Sequence, residues 1–215
     1  MHKIAVLISG NGSNFKAIID SKFDINVGCV ISNKAEAKGL SYAHEQSIPA
    51  YIVPHNEYDS KEEFESQLIK IITEHDCELV ILAGFMRVLT PLFVNQFANR
   101  IINIHPSLLP AFVGMNTKQR AIEAGVKMTG STVHLVNNEL DSGAIIMQGV
   151  TAITPDDTIK SLQAKIQQLE HRMYPFAIYK LINQQYTTRH NNVFLTHLDD
   201  DIEYIQNNNQ QAFYY

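Results

Sequence analysis

The sequence has few cysteines, and the two it has do not lie in a pattern typical of a metal site. Cys29 and Cys77 both stand in apolar stretches, and no CxxC or HExxH spacing is present. Cysteines in such surroundings are more often reduced core thiols than a disulfide or a pair of metal ligands. We therefore predict buried, reduced thiols and no metal site.

Long apolar runs and blocks of like charge are missing as well. The first apolar stretch is broken at Gly10 and is too short for a signal peptide, and no segment approaches the length of a membrane span. The net charge of −5 and the absence of a basic block argue against a nucleic-acid-binding protein. These absences predict a cytoplasmic protein that binds neither membranes nor nucleic acid.

The residues that are present suffice for one sizeable core. The chain has 215 residues, of which 45% are hydrophobic, and short apolar runs alternate with longer amphipathic segments. This alternation predicts an α/β fold with a mostly parallel central sheet and helices on both faces. Strands are predicted at 3–8, 25–32, 49–53, 78–84 and 100–104, followed near the sheet edge by an antiparallel or mixed pair at 131–136 and 144–153.

A helix start and the polar C-terminal segment complete the predicted organisation. Ser60, with Glu63 three residues later, predicts a capped helix that begins at residue 60. The segment after about residue 186 is polar and rich in Asn and Gln, so we expect at most a short strand there, at 192–196. We therefore divide the chain into a domain of residues 1–186 and a tail of residues 187–215 without a recognisable motif.

A glycine-rich segment, ISGNGSNF, follows the first predicted strand. Gly10 and Gly12 allow close backbone approach to a ligand, and Ser13 and Asn14 open a helix whose free N–H groups attract an anion. The segment lacks the third glycine of a dinucleotide fingerprint, because Phe15 occupies that position, and it lacks the Gly-Lys-Ser/Thr of a P-loop. It predicts a phosphate-monoester site; the structural alternative is a tight turn before a capped helix.

The stretch IINIHPSLLP places polar groups at the end of an apolar strand. Asn103 and His105 share one face because side chains alternate along a strand, and Pro106 ends the pairing just beyond them. An amide can stabilise an oxyanion, and an imidazole can move a proton near neutral pH. Asp141, between two late strands, is the candidate acidic partner. The alternatives are a satisfied core histidine, and Ser107 as a nucleophile, which the absence of a G-x-S-x-G motif disfavours.

Four motifs together resemble a known family. VLISGNGSN, LAGFMRVL, NIHPSLLP and GSTVHLVNNELDSGAII occur in the order found in phosphoribosylglycinamide formyltransferases, and the similarity runs from about Lys3 to Tyr174. The resemblance implies a Rossmann-like formyltransferase fold. It also implies formyl transfer from 10-formyltetrahydrofolate, as co-substrate, to the amino group of glycinamide ribonucleotide in purine biosynthesis, by a monomer or a homodimer.

The resemblance further implies a role for each matched residue. Asn103 would bind the formyl oxygen, His105 would stabilise the oxyanion and help proton transfer, and Asp141 would position a water. The ribonucleotide phosphate would bind at Gly12, Ser13 and Asn14, in the first half of the domain, with the folate site and the catalytic residues in the second half. Glu170 would lie near the polar groups of the ribonucleotide. The implied folate-binding residues are Lys61, Met86, Arg87, Val88, Leu89 and Asn103.

One loop departs from the family pattern. After HPSLLP the family usually continues with Lys-Tyr-x-Gly and a His-Thr pair, whereas Ala111, Val113 and Asn116 differ here and Gly114 and Thr117 remain. The loop Ala111–Thr117 is expected to close over the substrates, so the differences concern its motion and affinity rather than the reaction.

Three alternatives to this activity remain open on the sequence. A formyltetrahydrofolate hydrolase would carry a regulatory domain before the catalytic one, and the first strand already begins at Lys3. A transfer-RNA formyltransferase would need a basic carboxyl-terminal domain. A non-catalytic phosphate-binding module would leave Asn103, His105 and Asp141 far apart.

Overall fold

The fold was analysed in a computed structural model of the chain, which describes residues 2–189, 192–196 and 211–214. The chain divides into two compact units. The first comprises Met1–Asn103 and Val136–Asn138, and the second comprises Ile104–Leu135 and Glu139–Tyr215. The division falls inside a strand, between Asn103 and Ile104. No helix among the described residues is long and apolar enough to cross a membrane.

Ten strands occur in the described residues. They are β1 (Lys3–Ile8), β2 (Asn26–Ser32), β3 (Ala50–Ile52), β4 (Cys77–Leu82), β5 (Ile101–His105), β6 (Met128–Leu135), β7 (Ile145–Ala152), β8 (Tyr186–Arg189), β9 (Asn192–Leu195) and β10 (Gln211–Tyr214). Six α-helices accompany them: α1 (Ser13–Ile19), α2 (Lys38–Glu45), α3 (Lys61–Glu74), α4 (Pro91–Gln96), α5 (Thr117–Glu123) and α6 (Ile159–Ile182).

The first unit holds a parallel sheet with β1 at its centre. β1 pairs in parallel with β2 and β4, β2 pairs with β3, and β4 pairs with β5, which gives the order β3-β2-β1-β4-β5. Ile4 to Ile8 are all buried, so both faces of β1 are covered, as its continuous apolar sequence predicts. The order reverses at β1, and ligands of such sheets bind where the carboxyl ends of the strands meet at this reversal.

The second unit contributes antiparallel strands. β6 pairs with β7, with Thr129 opposite Thr151, and β10 pairs with the other edge of β7. Within this unit the strand order is β10-β7-β6. The predicted mostly parallel α/β sheet with antiparallel strands near the edge is confirmed. The expectation of at most one short strand in the tail is wrong, since β8 and β9 pair antiparallel and β10 pairs with β7.

The start of α3 shows how closely a local sequence signal matches the structure. The Ser60 side chain accepts a hydrogen bond from the Glu63 backbone N–H at 3.1 Å, as the capping motif predicts. The Glu63 carboxylate, however, accepts from the backbone N–H of Asp59 at 3.2 Å rather than from that of Ser60. The helix begins where predicted, and the returning bond is displaced by one residue.

The two cysteines lie in the core of the first unit. Both are buried and free, on the two strands that flank β1, with their sulfurs 4.0 Å apart. The hydrogen bond between the two thiols, together with burial, raises the pKa of Cys29. Strands separated by a third strand hold their Cα atoms farther apart than a disulfide spans, so the arrangement agrees with reduced core thiols.

Candidate active site

The end of β5 presents Asn103 and His105. Side chains two residues apart on a strand point to the same face, so the two share one side of β5. Asn103 is half-buried and His105 is buried. The Ser131 hydroxyl donates a hydrogen bond to the His105 carbonyl at 2.8 Å, which fixes the backbone at the end of the strand.

Asp141 lies next to His105 in the second unit. Its Oδ2 is 3.4 Å from His105 Nδ1, and both side chains are more than nine-tenths buried. This distance is slightly longer than an ordinary hydrogen bond, and it keeps a buried carboxylate beside the imidazole. The structure thus brings together the two residues that the sequence proposed as partners, while their catalytic roles stay a prediction.

His134, on β6, is a third titratable residue at this place, and sequence reasoning did not single it out. Its Nε2 is 4.0 Å from Asp141 Oδ1, and its Nδ1 is 2.8 Å from the Leu135 carbonyl oxygen. Burial lowers the pKa of His134, so the ring is neutral near pH 7. Because a carbonyl only accepts, the proton of the neutral ring lies on Nδ1. In the sequence, His134 stands in the alternating stretch STVHLV, which indicates a strand and does not mark the residue as functional.

The loop Ala111–Thr117 contacts both members of the His105–Asp141 pair through its backbone. The Phe112 carbonyl is 3.1 Å from His105 Nε2, and the Gly114 N–H donates to Asp141 Oδ2 at 2.9 Å. Phe112, Gly114 and Asn116 all have positive φ, a conformation that turns the loop sharply. Because these contacts use backbone atoms, side-chain differences in the loop do not remove the groups that make them.

Arg120, on α5, holds this loop from outside. Its guanidinium donates to the carbonyl of Val113 at 2.6 Å and to that of Met115 at 3.5 Å, and it lies 5.6 Å from the centre of the Phe112 ring. One side chain therefore contacts three residues of the loop.

The glycine segment lies at the carboxyl end of β1 in the first unit. Gly12 has a φ of 69° and precedes α1, which Ser13 and the buried Asn14 begin. A Cβ at Gly12 would stand 2.8 Å from the Cα of Gly39 on α2, and the Gly39 N–H donates to the Gly10 carbonyl. The turn therefore requires glycine at residue 12 both for its conformation and for close packing against α2.

The predicted folate segment follows β4 in the same unit. Met86 and Val88 are 65% and 66% exposed, whereas Arg87 and Leu89 are half-buried. The Met86 N–H donates to the Ser9 hydroxyl at 2.8 Å, which joins this stretch to the second residue of the glycine segment. The structure therefore brings two of the predicted binding regions together. Lys61 is the exposed first residue of α3.

Glu170, on α6, lies in the second unit. The Ser131 hydroxyl that contacts the His105 carbonyl is also 3.2 Å from Glu170 Oε1. Glu170 is therefore near the end of β5 rather than on a fully solvated helix face. No group of three or more His, Cys, Asp or Glu side chains suited to a metal ion occurs in the described part of the chain.

Comparisons with known proteins agree on one family. The formyl transferase family model matches residues 2–178. The chain is 43% identical to a phosphoribosylglycinamide formyltransferase of Haemophilus influenzae over 83% of this chain and 86% of that protein.

Two solved structures, both of proteins named for this activity, are similar in fold. The phosphoribosylglycinamide formyltransferase of Coxiella burnetii matches with a TM-score of 0.85 at 44% identity, over 90% of this chain and 93% of that one. Glycinamide ribonucleotide transformylase 1 of Symbiobacterium toebii matches with a TM-score of 0.88 at 38% identity, over 91% and 94%. The chain belongs to the phosphoribosylglycinamide formyltransferase family, and so is a transferase.

Proposed function

We propose that the protein transfers a formyl group from 10-formyltetrahydrofolate to the amino group of glycinamide ribonucleotide, giving formylglycinamide ribonucleotide and tetrahydrofolate in purine biosynthesis. The observation that carries the proposal is the buried contact of His105 with Asp141 at 3.4 Å, two residues beyond Asn103 on β5. The family membership adds the substrate class. The predicted division of the chain at residue 186 and the cytoplasmic location remain predictions.

In the proposed reaction the ribonucleotide amine attacks the formyl carbon directly. A new C–N bond forms, the carbonyl oxygen becomes an oxyanion, and the bond from carbon to the folate nitrogen then breaks as the amine loses a proton and the folate nitrogen gains one. Asn103 donates its amide N–H to the oxyanion. No covalent enzyme intermediate is needed in this scheme.

The surroundings of His105 support a fixed orientation of its ring. Nε2 lies 3.1 Å from the Phe112 carbonyl oxygen, and Nδ1 lies beside the carboxylate of Asp141. Held between these two acceptors, the imidazole is the group that exchanges a proton with the reacting groups in this proposal. Proton transfer of this kind contributes about 10²- to 10⁴-fold to a rate.

The two substrates bind through separate segments in this proposal. The phosphate of the ribonucleotide binds the backbone of Gly12, Ser13 and Asn14, and Glu170 contacts its polar groups. The folate binds along Met86–Leu89 with Lys61, where exposed apolar side chains suit a flat ring.

The test is to mix the protein with glycinamide ribonucleotide and 10-formyltetrahydrofolate and to measure tetrahydrofolate and formylated ribonucleotide. Equal amounts of both products are expected, with neither formed when the ribonucleotide is left out. Tetrahydrofolate formed without the ribonucleotide would indicate a hydrolase instead, and no product in either mixture would indicate a binding module. Sedimentation of the purified protein distinguishes the predicted monomer from the homodimer.

A further inference from the structure

The segment Met86–Leu89 is an irregular stretch whose two ends are fixed by buried side chains. At its start, the Met86 N–H donates to the hydroxyl of Ser9, which in turn donates to Asn33 Oδ1 at 2.6 Å. At its end, the Thr90 N–H donates to Oε1 of Glu65 at 2.8 Å. A segment without regular secondary structure takes its shape from such end contacts.

Glu65 is an unusual residue in α3. It is only 2% exposed, whereas glutamates are almost never fully buried unless they are paired. Its two carboxylate oxygens are both used by one residue: Oε1 accepts the Thr90 N–H, and Oε2 accepts the Thr90 hydroxyl. Thr90 is also the N-cap residue of α4, and its side chain makes no capping bond to that helix. Its hydroxyl is therefore available to Glu65.

The burial of Glu65 against Thr90 costs free energy, and packing alone does not explain why a carboxylate stands there. Burying a carboxylate is unfavourable unless hydrogen bonds compensate for the lost water, and an apolar residue would fill the same space without that cost. The carboxylate instead fixes the orientation of one loop residue by two bonds at once. The two bonds from Glu65 therefore control the geometry of the segment that ends at Thr90.

The segment held in this way carries Met86 and Val88, the two most exposed of its apolar side chains. Lys61 lies four residues before Glu65 on α3, so it is a neighbour on the same side of the helix. α3 therefore fixes the segment Met86–Leu89 through Glu65 and also places the cationic side chain of Lys61 on the same side of the helix.

We propose that Glu65 is a positioning residue for the folate: it acts through Thr90 to hold Met86–Leu89 in the shape that receives the ring, and it does not contact the ligand itself. This inference rests on the proposed function, because it concerns the same folate segment. It predicts that the loss of the Glu65 carboxylate weakens folate binding selectively and leaves ribonucleotide binding unchanged.

The test compares Glu65→Leu with Glu65→Gln and with the control Glu62→Leu, an exposed position one turn earlier on α3. Equilibrium binding of tetrahydrofolate is measured by calorimetry, and KM for each substrate is measured in the transfer assay. Glu65→Leu should raise the folate Kd and KM about tenfold or more, the effect of losing a hydrogen bond to a charged group, with the ribonucleotide KM within twofold. Glu65→Gln keeps an oxygen for the Thr90 N–H and should recover most of the affinity.

A purely structural role would give a different pattern. It predicts that Glu65→Leu shifts both substrates equally, or changes only the thermal unfolding midpoint. Either result, or an unchanged folate Kd, would overturn the inference. Thr90→Val provides a second variant, because it removes only the hydroxyl bond, and it should weaken folate binding less than Glu65→Leu does. If the wild-type protein itself binds no tetrahydrofolate, the proposed function fails and the role of Glu65 fails with it.

Discussion

Replacing Gly12 by alanine tests the glycine segment more sharply than any other substitution. The φ of 69° at Gly12 lies in the left-handed region, which costs a residue with a Cβ roughly 1–2 kcal/mol. The added Cβ would stand 2.8 Å from the Cα of Gly39, well inside ordinary contact, and relieving such a backbone contact costs about 1–3 kcal/mol. Together these terms predict a loss of about 2–5 kcal/mol in the free energy of unfolding.

The chain supplies its own matched controls. A Cβ at Gly10 would meet nothing within 4 Å, so Gly10→Ala should change the free energy of unfolding by no more than about 0.5 kcal/mol. A Cβ at Gly39 would meet the Cδ1 of Ile8 at 2.6 Å, but Gly39 does not have positive φ, so Gly39→Ala should fall between the other two.

Urea denaturation followed by circular dichroism gives the stability of each variant, and calorimetry gives its affinity for glycinamide ribonucleotide and for tetrahydrofolate. Gly12→Ala should be the least stable and should lose ribonucleotide affinity far more than folate affinity. Equal stability of Gly12→Ala and Gly10→Ala would refute the packing argument, and equal weakening of both ligands would refute the assignment of the phosphate to this segment.

Three further predictions concern the second unit. His105→Ala should lower kcat by about two to four orders of magnitude at nearly unchanged stability; activity within a few-fold of wild type in the tetrahydrofolate-release assay would contradict its role. Burial lowers the pKa of His134, so below the ordinary histidine pKa of about 6.5 the unfolded chain binds a proton at this residue that the folded chain does not. The free energy of unfolding therefore falls as the pH is lowered through about 6.5. His134→Asn should therefore flatten the fall in stability between pH 7 and pH 5, and an unchanged slope in urea titrations would count against this. Arg120→Gln should lower kcat several-fold with little change in either KM, because it loosens the loop that contacts His105 and Asp141; Arg120→Lys should recover part of the loss, and a variant as active as wild type would exclude Arg120 from holding the loop.

The sequence predicted those features that depend on local pattern. The continuous apolar run of β1, the Ser60 cap and the shared face of Asn103 and His105 all follow from spacing along the chain, and the structure has each of them. The proximity of Asp141 to His105 was a candidate only, because it depends on two segments that lie 36 residues apart in the sequence and meet only in the folded chain.

Features set by long-range contacts could not be predicted. Glu65 stands in SKEEFESQL, three residues before Leu68 on the apolar stripe of α3, but nothing local identifies Thr90 as its partner. The pairing of β10 with β7 uses backbone groups, which leave no apolar signal in the sequence. His134 looked like an ordinary residue of an alternating strand, because its neighbours in space, rather than those in sequence, make it notable.

The placement of the two thiols has a practical use. Alkylating reagents attack the thiolate, and both Cys29 and Cys77 are buried on the strands beside β1, so neither can be modified until these strands separate. Because the chain has no other cysteine, the rate of alkylation in the native protein measures how often the centre of the first unit opens. If the ribonucleotide phosphate binds at the end of β1, as proposed, it should slow that rate and so report its own binding without any introduced label.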